Sequence, residues 1–305
     1  MVIIAVFPGQ GSQSPGFLAP WLQLDGAAER LAAYSEWSGV DLIAAGTEWD
    51  ADRIRDTQIA QPLIVAASLL SWGALTDRSR IAGVAGHSVG EFAAAAAAGV
   101  LSEQDALRLV GIRGRAMAEA AAAEHTGMSA VIGGDEAIVV ARLEELDLTP
   151  ANYNGGGQIV AAGSLPALQA LSAEPPAGTR VIPLQVAGAF HTRYMGSAVD
   201  TLRQAASAVD TADPTLTLWS NRDGASVASG GDFVDSLVEQ VASPVRWDLC
   251  MASFAAEGVT GIVELSPAGT LTGLAKRVLR GVPSVAVKTP DDLAPAQALV
   301  SGDAA

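Results

Sequence analysis

Apolar residues in this chain follow two rhythms: short unbroken blocks, which mark buried strands, and apolar positions three and four apart, which mark helices. The first block runs over residues 2–7 and stops at the glycine-flanked loop Pro8-Gly9-Gln10-Gly11-Ser12-Gln13. Leu, Ile, Trp and Ala at helical spacing then carry the chain to Ser79, and a second apolar block occupies 81–85. Ser102, with Asp105 three positions on, resembles a capping box and opens a helix through Arg113 toward Ala123. From Gly127 the rhythm shortens. It predicts a strand over 129–132, a helix over 135–146, short strands around Asn152 and over 158–162, a helix over 165–173 and a strand over 180–186. That β-α-β-β-α-β order is the ferredoxin-like split arrangement, compact enough to be an inserted subdomain over 125–187, with a larger α/β lobe built from 1–124 and 188–305. Long helices return after it, with strands predicted over 216–219 and 262–265. The stretch beyond Asp291, rich in Ala, Asp, Pro and Gly, is expected to fray.

The pentapeptide Gly86-His87-Ser88-Val89-Gly90 joins the second apolar block to Glu91-Phe92 and an alanine run. Strand, sharp turn and helix in this register are the setting of a G-x-S-x-G nucleophile elbow. The glycines are required because a side chain at Gly86 or Gly90 would collide with the neighbouring strand or helix while the turn lifts the serine hydroxyl out of the sheet. Read alone, the same pattern also fits an ordinary helix start with Ser88 near the N-cap.

Composition narrows the setting. With 305 residues, half of them hydrophobic, the chain can bury a large core. A formal charge of −15 argues against nucleic acid or an anionic membrane as the main partner. Cys250 is the single cysteine, so neither a disulfide nor a thiolate metal cluster can form within the chain, which suits a reducing compartment. The apolar start lacks a basic region and runs straight into Pro8-Gly9, so it reads as a strand and not a signal peptide. No other stretch reaches membrane-spanning length without a charge or a breaker. A soluble, cytoplasmic protein is expected.

A serine hydroxyl needs a base at neutral pH, and histidine is the usual one. Of the three histidines, His87 adjoins the nucleophile and is expected to point away from it, and His125 sits in a polar junction; elimination leaves His191. Attack on an acyl carbonyl also needs donors for the developing oxyanion. The backbone N–H of Val89 is one, and the Gln10 loop at the end of the first strand offers another because its glycines permit close approach. Arg113 lies among apolar helix neighbours, where a guanidinium calls for a carboxylate or phosphate partner. Arg108 and Arg115 share that helix, and periodicity does not choose among the three.

These blocks resemble the malonyl-CoA:acyl carrier protein transacylase family and the related acyltransferase domains of polyketide and fatty acid synthases. The resemblance spans nearly the whole chain, through Phe7 to Gln13, Gly86 to Glu91, Arg113-Gly114, Gly188-Ala189-Phe190-His191, Pro244-Val245-Arg246-Trp247 and Leu271-Thr272-Gly273-Leu274. It implies a hydrolase-like parallel-sheet α/β core carrying the inserted ferredoxin-like α+β subdomain, with the catalytic cleft between them. It also implies that Ser88 forms the acyl-enzyme, that His191 is base and then acid, and that the Gln10 and Val89 N–H groups form the oxyanion hole. Arg113 would hold the malonyl carboxylate. Gln240 matches the position whose main-chain carbonyl orients the histidine in place of a triad acid. Phe190 before the histidine, like Val89 after the nucleophile, resembles the malonyl-selective type. One departure is that many discrete members carry Ser-His-Cys where this chain has Phe190-His191-Thr192, which bears on extender preference and not on catalysis.

The expected reaction is a ping-pong transfer from malonyl-CoA to the phosphopantetheine thiol of acyl carrier protein, with no metal or redox cofactor, and a monomer is expected. Asn152 and Asn154, placed on a loop of the small subdomain, are candidates to bind the pantetheine arm. Lys276, Arg277 and Arg280, near the end of one predicted helix, are candidates for docking the acidic carrier. A serine hydrolase or thioesterase of α/β type, a transacylase for another carboxylated acyl group such as methylmalonyl, and a non-catalytic scaffold are the alternatives.

Overall fold

A computed structural model describes residues 2–302. Among the described residues ten strands form two five-stranded sheets. The strands are β1 (Ile3–Phe7), β2 (Ile81–Gly86), β3 (Thr126–Gly133), β4 (Thr149–Gly155), β5 (Gln158–Ser164), β6 (Thr179–Pro183), β7 (Thr217–Trp219), β8 (Val245–Arg246), β9 (Gly261–Glu264) and β10 (Ser284–Ala286). The larger sheet has the order β10-β9-β1-β2-β7 and all its pairings are parallel. Helices cover both faces, so β1 is buried along its whole length, which is why its sequence is continuously apolar rather than alternating. Phe7 closes β1 against Trp72 of the buried helix Thr57–Ala74, ring edge to face at 5.9 Å.

The second sheet has the order β6-β3-β5-β4-β8. Its first four strands are antiparallel and come from 126–183, with helices Glu136–Glu145 and Leu165–Ala173 between them. The fifth, β8, pairs in parallel with β4 and arrives from far along the chain. The side chain of Asp135 caps the first of these helices and that of Ser164 the second, so local capping fixes where each begins.

The structure corrects three expectations. The chain beyond Asp291 is not frayed: helix Leu293–Ser301 packs on β9 and β10 with Ala296, Leu299 and Val300 buried, an apolar stripe at helical spacing that outweighs the loop-like composition. The strand predicted over 180–186 ends at Pro183, with one further backbone bond from the Leu184 N–H to the Met128 carbonyl at 2.9 Å, and Leu184, Gln185 and Val186 line a cavity. Asn152 and Asn154 are not on a loop but within β4, where backbone pairing to β5, and at Asn152 also to β8, secures the strand. Lys276 and Arg277 lie in the last turn of helix Thr270–Val278 and Arg280 just past it, near the helix end as expected, and all three are exposed.

Candidate active site

Between the two sheets lies a cavity of about 500 Å³. Gly9, Gln10, His87, Ser88, Val89 and Arg113 line it from the parallel-sheet side, and Met128, Asn152, Asn154 and Val160 from the other. Ser88 enters it from a strained turn: β2 ends at Gly86, Ser88 adopts φ 53°, and helix Gly90–Ala97 begins two residues later. A Cβ on Gly86 would overlap the backbone of Gly90, and one on Gly90 would overlap the carbonyl of Phe7 at the end of β1. Both glycines are therefore fixed by close backbone approach. Asn221, just past β7, staples the turn from the side: its Oδ1 accepts from the Ser88 N–H at 2.7 Å and its Nδ2 donates to the Gly86 carbonyl at 2.8 Å.

Ser88 Oγ lies 2.7 Å from His191 Nε2, and His191 Nδ1 lies 2.8 Å from the Gln240 carbonyl oxygen. A carbonyl can only accept, so Nδ1 carries the proton and Nε2 presents its lone pair to the serine. Burial, with the Arg113 charge adding to it and the Gln240 carbonyl opposing, pulls the imidazole pKa down to about 3. His191 is therefore neutral at pH 7, the state a general base requires. The amide N–H groups of Gln10 and Val89 have no acceptor among the described residues, and both residues face the cavity.

Of the three arginines on helix Glu103–Ala123, Arg113 is the one that reaches the site: it is 1% exposed, whereas Arg108 pairs with Asp105 and Arg115 donates to the Ser38 carbonyl. Its Nη1 donates to Gln61 Oε1 at 2.5 Å and its Nη2 to Gln240 Oε1 at 3.1 Å, while Nε has no partner among the described residues. Guanidinium has five N–H donors, so most of its capacity stays open. Burial lowers its pKa to about 10, with Glu91 opposing, and it stays charged at neutral pH.

Both glutamines turn their oxygens to Arg113 and pass their N–H groups outward. Gln61 Nε2 donates to Thr57 Oγ1 at 2.9 Å, and Thr57 in turn donates to Gln10 Oε1 at 3.0 Å, tying the arginine to the Gln10 loop. Gln240 Nε2 donates to Glu91 Oε2 and reaches Asn221 Oδ1 at 3.3 Å. Glu91 Oε1 accepts from the Asn221 N–H at 2.7 Å. One polar chain thus runs from the Gln10 loop through Arg113 to the Ser88 turn.

Phe190 is buried and lines the cavity next to His191. Asn154 Oδ1 lies 2.9 Å from His87 Nε2, so this asparagine holds the histidine next to Ser88, and the His87 ring meets Trp247 edge to face. Burial holds the His87 pKa below the usual value, with the Asn154 contact opposing. The side chain of Asn152 has no hydrogen-bond partner among the described residues and faces the cavity. Sequence reasoning missed Gln61, Glu91 and Asn221. Glu91 did leave a signal, a lone carboxylate in a helix otherwise of Phe and Ala; Gln61 and Asn221 left none.

Residues 4–290 match the family described as acyl transferase domain. The chain is 56% identical over 296 residues to a malonyl CoA-acyl carrier protein transacylase of Mycobacterium tuberculosis, covering 96% of this chain and 98% of that protein. It is similar to the crystal structure of MCAT from Mycobacterium tuberculosis, with a TM-score of 0.95 and 54% identity over 97% of this chain and 100% of that one. It is also similar to a malonyl-transacylase solved in complex with a type II PKS acyl-carrier protein, with a TM-score of 0.90 and 30% identity over 97% of this chain and 99% of that one.

Proposed function

The chain belongs to the acyl transferase domain family, and from that premise and the site geometry we propose that it moves the malonyl group of malonyl-CoA to the phosphopantetheine thiol of acyl carrier protein by way of a Ser88 ester. The observation that carries this reading is one cavity holding both a Ser88–His191 pair and a buried guanidinium with open donors.

In the first half-reaction His191 Nε2 takes the Ser88 proton as Oγ attacks the thioester carbon. The carbonyl oxygen gains negative charge and is met by the N–H groups of Gln10 and Val89, which need no reorganisation to receive it. Collapse of the tetrahedral intermediate expels CoA thiolate, which takes the proton from imidazolium. The second half-reaction runs the same steps backward with the carrier's thiol as nucleophile. The Gln240 carbonyl fixes the imidazole tautomer through Nδ1, so no triad carboxylate is needed. Arg113 would receive the malonyl carboxylate through charge-assisted hydrogen bonds, each contributing ~1.5–3 kcal/mol. An acetyl group would leave those donors unpaired, which penalises it beyond the lost contact. Phe190 would occupy the space an α-methyl branch needs, favouring malonyl over methylmalonyl. All of these groups belong to the chain, so the mechanism calls on no metal or redox cofactor. Asn152, with its amide unpaired in the cavity wall, would hydrogen-bond the pantetheine arm, whereas Asn154 is engaged by His87.

No helix among the described residues is long and apolar enough to cross a membrane. We place the enzyme in the cytoplasm, where a CoA thioester is available and where the buried thiol of Cys250, its pKa raised mainly by burial, stays reduced.

Intact-mass measurement after mixing with malonyl-CoA tests the reading. A stable gain of one malonyl group, absent in Ser88→Ala and discharged by holo-carrier, is expected. Rapid release of free malonate would make the enzyme a hydrolase, and no adduct or turnover would make it a scaffold.

A further inference from the structure

Glu91 sits on the first turn of helix Gly90–Ala97 and is 1% exposed, directly beneath the site. Both its oxygens accept N–H donors, from the Asn221 backbone and from Gln240 Nε2. Beyond Gln240 stands Arg113, whose nitrogens can only donate. The Gln240 amide can sit either way round, but only one orientation gives Arg113 an oxygen, and that orientation sends the NH₂ group toward Glu91 and Asn221. Burial raises the Glu91 pKa to about 8, with the Asn221 N–H, the Arg113 charge and the Gln240 amide opposing. Above that pH a pure donor at one end and a pure acceptor at the other fix the glutamine between them.

With Glu91 ionised, the arrangement also keeps two opposite charges near each other without joining them. Among the described residues no ion pair links Arg113 to Glu91; the Gln240 amide stands between. A direct carboxylate contact would occupy the guanidinium fork and compete with an incoming acid. An interposed amide balances the buried charge and leaves the donors open.

We propose that Glu91 is a positioning residue for acyl selectivity: by holding the Gln240 amide with its oxygen toward Arg113, it fixes the guanidinium that receives the substrate's free carboxylate. This rests on the assignment of Arg113 made under Proposed function. Glu91→Gln removes the obligatory acceptor. With an amide at both positions, Gln240 is free to turn its NH₂ group toward Arg113, setting donor against donor and displacing the fork.

The test compares transfer from malonyl-CoA and from acetyl-CoA to holo-carrier by the full-length enzyme above pH 8, where Glu91 is ionised, with KM and kcat measured separately for wild type, Glu91→Gln and Arg113→Ala. For Glu91→Gln the malonyl KM should rise about tenfold or more, kcat should change less, and acetyl transfer should fall far less, so the malonyl-to-acetyl ratio drops. A parallel loss for both donors, or no change in the ratio, overturns the proposal. If Arg113→Ala shifts the ratio and Glu91→Gln does not, this inference alone fails. If Arg113→Ala leaves the ratio unchanged, the assignment of the arginine fails and takes the inference with it. Should Glu91→Gln not fold, Gln240→Met decides: it keeps the main-chain carbonyl for His191 but deletes both amide ends, and it must show the same loss of selectivity.

Discussion

Removing the guanidinium of Arg113 puts the largest energetic claim at risk. In Arg113→Ala the malonyl carboxylate would enter a cavity where the arginine, 1% exposed, had supplied the positive charge. Two charge-assisted hydrogen bonds at ~1.5–3 kcal/mol each set the scale of the loss at ~3–6 kcal/mol. That corresponds to a fall of roughly 10²–10⁴ in kcat/KM for malonyl-CoA. Acetyl-CoA meets the opposite change, because the variant no longer leaves buried donors unpaired against its methyl group, so its kcat/KM should hold steady or rise. A second signature follows from His191. Arg113 is the largest charge lowering that imidazole's pKa, so its removal moves the acid limb of the pH–rate profile to higher pH. The assay is carrier acylation followed by mass, with both donors from pH 3 to 9 so that the acid limb falls within range, and thermal unfolding checks that the variant is folded. Arg113→Lys, with charge but no planar fork, should recover only part of the malonyl rate. Equal losses for the two donors would refute the reasoning, since they would mean that the arginine supports the fold and does not bind the acid.

Phe190→Ala should open room beside the nucleophile and raise methylmalonyl transfer relative to malonyl by roughly 10-fold or more, on the scale of ~1–3 kcal/mol for one methyl group; an unchanged ratio in a competition assay would remove Phe190 from the pocket's selectivity. His191 gives a stability signature. The unfolded imidazole binds its proton near 6.5 and the folded one near 3, so its contribution is complete above pH 6.5 and is lost as pH falls toward 3, at up to ~1.4 kcal/mol per pH unit. Urea unfolding at pH 7 and 4.5 should therefore show His191→Gln gaining ~2 kcal/mol on wild type at the lower pH, and a constant difference would contradict it. Gly86→Ala, whose new methyl overlaps the Gly90 backbone, should destabilise by ~3 kcal/mol or more and abolish acylation; a normally active, stable variant would disprove the close approach. Charge reversal at Lys276 and Arg277 should raise KM for the carrier while sparing KM for malonyl-CoA, and steady-state kinetics with each substrate varied would show whether this exposed helix face takes part in docking.

What could be read along the chain was whatever a few neighbouring residues decide. The elbow was legible because apolar strand, paired glycines, serine and helix start are contiguous, and the turn's geometry follows from them. The βαββαβ order was legible because capping residues and alternation mark each element locally. The terminal helix was misread because its buried stripe of Ala296, Leu299 and Val300 lies in a composition that looks like a loop, and β9 and β10 supply the burial that makes it a helix.

The amino-acid sequence by itself determined the strand-turn-helix that exposes Ser88, the α/β character of the core and the shortage of histidines that singles out His191. Periodicity left Arg108, Arg113 and Arg115 equivalent and only the family resemblance pointed to Arg113; it took packing against Gln61 and Gln240 to show that this guanidinium is the one buried toward the cavity. Tertiary structure alone joined Glu91 to Gln240, 149 positions apart, and Asn221 to Ser88, 133 apart. Hydrogen bonds of this kind depend on distance and direction in space, and separation along the chain carries no record of either until the sheets have brought the donors to their acceptors.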